Sequence, residues 1–203
     1  KGEDVDRYVG NCLLILLLST AIVTITIFLF GRYIAHYTSI PFEWLFIVIL
    51  ICVCQFIFMI PLIIWQVKMK AVSYGLFQVA QTVVNIGFSL IFVVLLKNGW
   101  EGRIVGQLIS ILLFALITVV ILIKNKWVII KYDKGLFLHA IRFGIPLIPH
   151  TIGSVIITLT DRLLLNNMVG LSETGIYMVA FQCASVLNLG TTALNNAYVP
   201  WLY

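Results

Sequence analysis

Apolar segments long enough to cross a lipid bilayer constrain this chain more than any other feature of its sequence. A membrane-spanning helix needs about 20 mostly apolar residues. Six segments meet or approach that length: 10–31, 42–65, 74–96, 102–124, 143–165 and 175–197. Of the 203 residues, 62% are hydrophobic and only 10% are charged, against about 25% charged in soluble domains. The sequence therefore predicts an all-α, polytopic helical membrane protein with about six transmembrane helices.

The basic residues alternate between the two sides of this predicted bundle. Nine Lys and Arg residues lie in the N-terminal stretch and the loops at 66–73 and 124–142, and three lie in the other loops. The positive-inside rule predicts that the richer set is cytoplasmic. The net charge of +5 thus reports loop topology, and nucleic acid is not an expected partner. The opposite loops are too short for an extracellular catalytic domain.

The stretch 125–142 is the longest predicted connection. It mixes Trp127, Tyr132 and basic residues with apolar ones, as interfacial amphipathic segments do. We expect it to lie along the cytoplasmic membrane face and to separate two groups of helices. The chain begins at Lys1 and ends without a polar tail, which favours an internal fragment of a longer membrane protein.

The third segment carries a polar stripe. Tyr74, Gln78, Gln81, Asn85 and Ser89 recur every three or four residues and therefore share one helix face. A lipid-facing amide is costly, so the stripe is expected to face protein or water. Two interpretations stay open: hydrogen bonding between packed helices, or the lining of a water-filled substrate path.

Two further segments carry similar stripes, which is typical of helices around a cavity that rearranges. On the sixth segment, Asn188 is the candidate cavity residue, in a stripe with Ser185, Thr192 and Asn195. The fifth segment contributes His150, Ser154, Thr158 and Asp161, with Arg162 beside them.

Asp161 and Arg162 are adjacent, so on a helix their side chains diverge by about 100° and cannot form a good ion pair. Intramembrane ionisable residues are candidates for function, and a gate or an ion-coupling site is one interpretation. The other is a structural pair at the outer mouth that ties this helix to its neighbour. His150 is either a packing residue or a proton or substrate contact. Pro146 and Pro149 predict that the first turns of this segment are kinked or irregular.

Gly102, Gly106 and Ser110 form a small-residue ladder that predicts close helix packing. The four cysteines fit small apolar packing positions. No sequence motif for nucleophilic catalysis, metal binding or nucleotide hydrolysis is present, so a transporter is favoured over an enzyme.

Two stretches carry a family resemblance. FGIPLIPHTIGSVIITLTDRLLLNNMVGLSETGIYMVAFQCASVL at 143–187 resembles Wzx-type polysaccharide flippases, of the multidrug/oligosaccharide/polysaccharide exporter superfamily. KMKAVSYGLFQVAQTVVNIGFSLIFVVLLKNGWEGRIVGQLIS at 68–110 also looks like this family. The resemblance implies a MATE-like fold of two six-helix lobes. Residues 1–124 would give four helices of the N-terminal lobe, 125–142 the cytoplasmic linker, and 143–203 the first two helices of the C-terminal lobe.

The activity that the resemblance implies is a flippase for undecaprenyl-pyrophosphate-linked oligosaccharide repeat units. Such a protein would lie in the bacterial inner membrane and serve O-antigen, lipopolysaccharide, capsule or exopolysaccharide synthesis. A polysaccharide polymerase and a chain-length regulator are the implied protein partners, membrane lipid surrounds it, and no cofactor or metal is expected. Protons and sodium both stay open as coupling ions. Arg142 would meet the pyrophosphate at the cytoplasmic mouth or serve only as a basic anchor.

Two alternatives remain at the level of sequence. One is a MATE-like exporter of drugs or small solutes. The other is a polytopic glycan polymerase or acyltransferase, which would need a large external loop or a clustered acid/base pair.

Overall fold

The computed structural model describes residues 3–38, 41–129 and 131–202, without the side chains of 3–5, 34, 36–38, 163, 171, 186, 188–190 and 192–202. The described residues form helices with connecting segments between them and contain no strand, which confirms the all-α prediction. The helices are α1 (Glu3–Thr38), α2 (Phe42–Val67), α3 (Ala71–Leu90, continued by a π-helical turn over Ile91–Leu95), α4 (Gly99–Lys124), α5 (Lys134–Val169) and α6 (Leu171–Leu202).

Five helices in the described ranges are long and apolar enough to cross a membrane. They are Asp6–Tyr33, Phe42–Val67, Ala71–Leu95, Gly99–Lys124 and Lys134–Val169. The chain is a multi-pass membrane protein. The sixth predicted segment does form a helix, α6, although it is not among these five.

Helix α5 begins nine residues earlier than the sequence predicts, at Lys134 rather than 143. The cause is a cap: Asp133 Oδ1 accepts the backbone N–H groups of Gly135 at 2.8 Å and Leu136 at 3.2 Å, which satisfies donors that a helix start leaves free. Residues 134–142 are thus the first turns of a long helix. Whether they lie along the membrane face stays a prediction.

Helix α5 continues through Pro146 and Pro149, so the irregular turns that were one alternative of the prediction are absent there, and a kink at the prolines stays a prediction. Each proline removes one backbone donor from the helix. The turns on either side keep their own hydrogen bonds, and Thr151 Oγ1 adds a bond of 3.0 Å to the carbonyl oxygen of Leu147.

The chain forms two compact units, unit 1 (Lys1–Ile141) and unit 2 (Arg142–Tyr203). The core of unit 1 lies where α2, α3 and α4 pack together, and aromatic rings form its centre. The Phe58 and Phe77 rings stack with centroids 5.2 Å apart, and Phe114 meets both edge-on. In lipid such packing contributes more to helix association than water exclusion does.

Tryptophan pairs mark both ends of unit 1. Trp44 and Trp100, near the starts of α2 and α4, lie 5.1 Å apart between ring centroids. At the other end Trp65 and Trp127 lie 6.3 Å apart. Helices α2 and α4 therefore run parallel. Trp44 and Trp65 are 21 residues apart along α2, about 32 Å, which matches the roughly 30 Å of bilayer hydrocarbon between two aromatic belts.

The end of unit 1 that holds Trp65 and Trp127 also holds Lys68, Lys70, Lys124 and Lys126, and we call it the basic end. Positive-inside logic predicts that it faces the cytoplasm.

The segment that follows α4 is fastened to α1 at the basic end. Asn11 is fully buried. Its Nδ2 donates to the carbonyl oxygens of Arg7 at 2.9 Å and Lys131 at 3.1 Å, and its Oδ1 accepts from the backbone N–H of Asp133 at 3.1 Å. Nearby, the Ile129 N–H donates to the carbonyl oxygen of Asp6. These bonds position the basic-end loop against α1.

Candidate functional site

The polar stripe of α3 divides into a bonded half and an unbonded half. Near the end of α3, Arg103 of α4 donates from Nη1 to Asn85 Oδ1 at 2.7 Å and also to Ser89 Oγ. Ser89 is buried and lies 3.4 Å from Asn85 Oδ1. In the part of the chain that the structure describes, the amide groups of Gln78 and Gln81 make no hydrogen bond. Helix-to-helix bonding therefore accounts for Asn85 and Ser89 and leaves the two glutamines unassigned.

The small-residue ladder of α4 explains why α4 lies so close to the bonded half of the α3 stripe. A Cβ atom at Gly106 would lie 2.8 Å from the backbone N of Ser89, and one at Gly102 would lie 2.8 Å from the carbonyl oxygen of Phe92. The buried Ser110 Oγ lies 3.5 Å from the Gln81 carbonyl oxygen. The predicted close packing is confirmed, and α4 places Arg103 within reach of α3.

Gln55 of α2 and Gln107 of α4 line a second polar surface, which the sequence reasoning missed. They border an open cavity of about 620 Å³ whose other walls include Cys52 and Met59. Both glutamines are half-buried, and within the described residues neither side chain makes a hydrogen bond. Gln55 is 11 residues from Trp44, about 16 Å along the axis, which puts it near the middle of the membrane. The signal available in the sequence was a single amide within the apolar middle of each helix.

In unit 2 the α5 stripe is exposed along its whole length. His150, Ser154, Thr158 and Asp161 all present exposed side chains. Thr158 Oγ1 bonds within its own helix, to the Ser154 carbonyl oxygen at 2.9 Å. No hydrogen bond or ion pair of His150 or Asp161 is found among the described residues. The stripe offers hydroxyl, imidazole and carboxylate groups along one helix face.

The side chain of Arg162 does not belong to the exposed stripe but contacts α6. It is half-buried, and its Cζ lies 5.9 Å from the centroid of the Phe181 ring on α6, a cation–π distance. Arg162 thus links α5 to α6, as the structural interpretation of the pair predicts for this residue. Asp161 takes no part in the contact. Arg142 is exposed near the start of unit 2. The side chain of Asn188 lies outside the described residues.

Among the described residues, no group of three or more His, Cys, Asp or Glu side chains could hold a metal ion. Most of the polar side chains on these surfaces are amides and hydroxyls. Amides and hydroxyls both donate and accept hydrogen bonds, and such surfaces suit a hydroxyl-rich solute.

A profile of the family described as polysaccharide biosynthesis protein matches residues 1–203. The chain belongs to this family. Two curated relatives of the chain come from Haemophilus influenzae. An uncharacterized membrane protein is 29% identical over 166 residues, which are 79% of this chain and 41% of that protein. Lsg locus putative protein 1 is 28% identical with the same coverage. The chain thus spans 41% of the length of each relative. No solved structure matches it.

Proposed function

We propose that the protein is a flippase that moves undecaprenyl-pyrophosphate-linked oligosaccharide repeat units across the bacterial inner membrane. The products would feed O-antigen, lipopolysaccharide, capsule or exopolysaccharide synthesis. The observation that carries the proposal is the family match, which covers the whole chain of a multi-pass membrane protein.

The cavity between Gln55 and Gln107 supports a sugar as the transported group. A glycan crossing a bilayer needs hydrogen-bond partners that replace water. The unbonded amide of Gln55 lies near the membrane middle, where transporters commonly bind their substrates, and Gln107 lines the same cavity. The lining includes Phe56, Ile60 and Ile63, and apolar walls of this kind would pack against sugar ring faces.

In this proposal the exposed α5 stripe is a further polar surface that contacts the substrate, besides the cavity of Gln55 and Gln107. His150, Ser154 and Thr158 would contact the glycan, and Asp161 would act as a gate or as a coupling site for protons or sodium. Arg142 would meet the pyrophosphate, since a guanidinium fork suits phosphate oxygens. The protein would hand its product to a polysaccharide polymerase and a chain-length regulator.

Deletion of the full-length gene in its host tests the proposal. The expected result is that lipid-linked repeat units accumulate on the cytoplasmic face, that surface polysaccharide is lost, and that the gene restores it. Repeat units that reach the outer face without being polymerised would contradict a flippase and favour a polymerase. Unchanged surface glycan would favour an exporter of small solutes.

A second arm tests the cavity itself. Gln55→Leu with Gln107→Leu removes both amides at nearly constant volume, so we expect normal protein levels and at least about a tenfold loss of repeat-unit transport. Gln66→Leu, the same exchange at an exposed position that lines neither cavity, is the matched control. Normal transport by the double variant would remove the cavity from the substrate path.

A further inference from the structure

A second cavity lies at the basic end of unit 1, between α1, α2 and the loop after α4. Its volume is about 590 Å³, within the roughly 300–1,000 Å³ of small-molecule sites. Its walls are mainly apolar and include Val9 and Cys12 of α1 and Ile60 and Ile64 of α2. It is therefore suited to a hydrocarbon group.

The length of this cavity corresponds to one membrane leaflet. On α2 the lining extends from Lys68 to Phe56, 12 residues or about 18 Å along the axis. One leaflet contributes about half of the roughly 30 Å hydrocarbon thickness. Phe56, Ile60 and Ile63 also line the cavity of Gln55 and Gln107, so the apolar space ends where the amides begin.

The charged residues of the lining are Asp6 and Lys68, with the amide of Asn125 also present. Lys68 Nζ lies 4.6 Å from the centroid of the Trp127 ring, at the aromatic belt of the basic end. Asp6 uses its backbone carbonyl to accept from Ile129. Within the described ranges neither charged group joins an ion pair, and the Asp6 carboxylate accepts no hydrogen bond. One cation and one anion thus remain available at the same site.

We propose that this cavity holds one acyl chain of a zwitterionic phospholipid, with the lipid phosphate at Lys68 and its ammonium group at Asp6. An aminoethyl phosphate headgroup matches both charges, whereas a lipid with only a negative charge would meet the Asp6 carboxylate unfavourably. The other lysines of the basic end do not line the cavity. The bound lipid would seal α1 against α2 and the loop that Asn11 fastens. This site adjoins the cavity of Gln55 and Gln107 through Phe56, Ile60 and Ile63. The lipid proposal rests on the charges and the lining of the basic end and does not depend on the flippase proposal.

Lipid retention by the purified full-length protein tests the proposal. The protein in detergent is given equal amounts of phosphatidylethanolamine and phosphatidylglycerol, and native mass spectrometry counts the lipids retained. We expect phosphatidylethanolamine to be retained about fivefold over phosphatidylglycerol, as one matched charge at a membrane surface would give. Asp6→Asn should abolish the preference, and Lys68→Gln should lower retention of both lipids. Lys70→Gln, outside the lining, is the matched control and should change neither.

A blocking variant makes the test independent of headgroup charge. Val67 lines the cavity and Val72 does not, while both are valines near the basic end with 78% and 83% exposure. Val67→Trp should reduce lipid retention, and Val72→Trp should leave it unchanged. Preference for phosphatidylglycerol, or retention that Val67→Trp and Asp6→Asn both leave intact, would overturn the proposal. So would displacement of the phospholipid by an equal amount of a polyprenyl phosphate, which would reassign the cavity to the carrier lipid.

Discussion

The polar stripes of α3 and α5 look alike in sequence and have different surroundings in the two units. On α3, Asn85 and Ser89 are bonded to Arg103 of the neighbouring helix. On α5, His150 and Asp161 are exposed and have no hydrogen-bond partner among the described residues. The stripe alone therefore does not determine whether a polar face joins helices or meets a solute.

The difference lies in the neighbouring helix. Helix α4 brings Gly102 and Gly106 against the backbone of α3, and the close approach lets one arginine reach two polar groups. Gly144 and Gly153, the two glycines of α5 within unit 2, have no such neighbour, since a Cβ at either would meet nothing within 4 Å. Small residues opposite a stripe thus favour a structural role for it.

The largest effect should come from breaking the α3–α4 approach. Gly106→Leu places a side chain against the backbone of Ser89, which cannot move aside as a flexible side chain would. We expect a destabilisation of about 3 kcal/mol and a large loss of folded protein, measured by thermal unfolding and gel filtration of the full-length protein. Gly87→Leu on α3 faces open space and should fold normally. Equal behaviour of the two variants would show that the glycine ladder is not a packing surface.

The Arg103 bonds should give the next largest effect. A double-mutant cycle of Arg103→Gln and Asn85→Ala should yield a coupling free energy of about 1.5 kcal/mol. Either single variant already removes the hydrogen bond from the charged donor, so the double variant cannot lose it again. Thermal unfolding of the four proteins provides the measurement. Additive effects would mean that the two side chains do not interact in the membrane.

The corner between α5 and α6 tests the local geometry of unit 2. Gly170 is the single residue between these helices and has φ +96, a conformation that is strained for residues with a Cβ. Gly170→Ala should destabilise the protein by about 1 kcal/mol. Gly175→Ala, in the open side of α6, should be neutral or slightly stabilising. A neutral result at Gly170 would place the corner in a different backbone conformation.

The smallest expected effect concerns Thr118 on the packed side of α4. Its side chain is fully buried, and its Oγ1 has no hydrogen-bond partner in the described structure. Thr118→Val keeps the shape and removes the unsatisfied hydroxyl, so we expect the melting temperature to rise by the equivalent of about 0.5–1 kcal/mol. A lower melting temperature would indicate that the hydroxyl has a partner in the complete protein.

Helix number, apolar lengths and the glycine ladder could be predicted from sequence because each depends on local periodicity. The apolar pattern alone does not predict the start of α5, because residues 134–142 are too polar to extend it and the helix begins instead at the Asp133 cap. The role of Arg103 does not follow from the sequence, since its partner Asn85 is 18 residues away and only the helix packing brings the two side chains together.

The roles of three single amide residues also could not be predicted from the periodicity of polar side chains. Asn11, Gln55 and Gln107 form no periodic pattern, so their roles depend entirely on what neighbouring helices present. Periodicity identified Gln78, Gln81, Asn85 and the α5 residues, but it could not separate the bonded from the unbonded members. That separation requires the tertiary contacts.

The most direct test of the difference between the stripes compares Asn85→Ala with Asp161→Asn in the full-length protein. Repeat-unit transport per folded molecule and the melting temperature would be measured for both. We expect Asn85→Ala to lower the melting temperature while transport per molecule stays normal. For Asp161→Asn we expect a stability change within about 0.5 kcal/mol and about a tenfold loss of transport. Normal transport by Asp161→Asn, together with a transport defect in stable Asn85→Ala protein, would contradict the account.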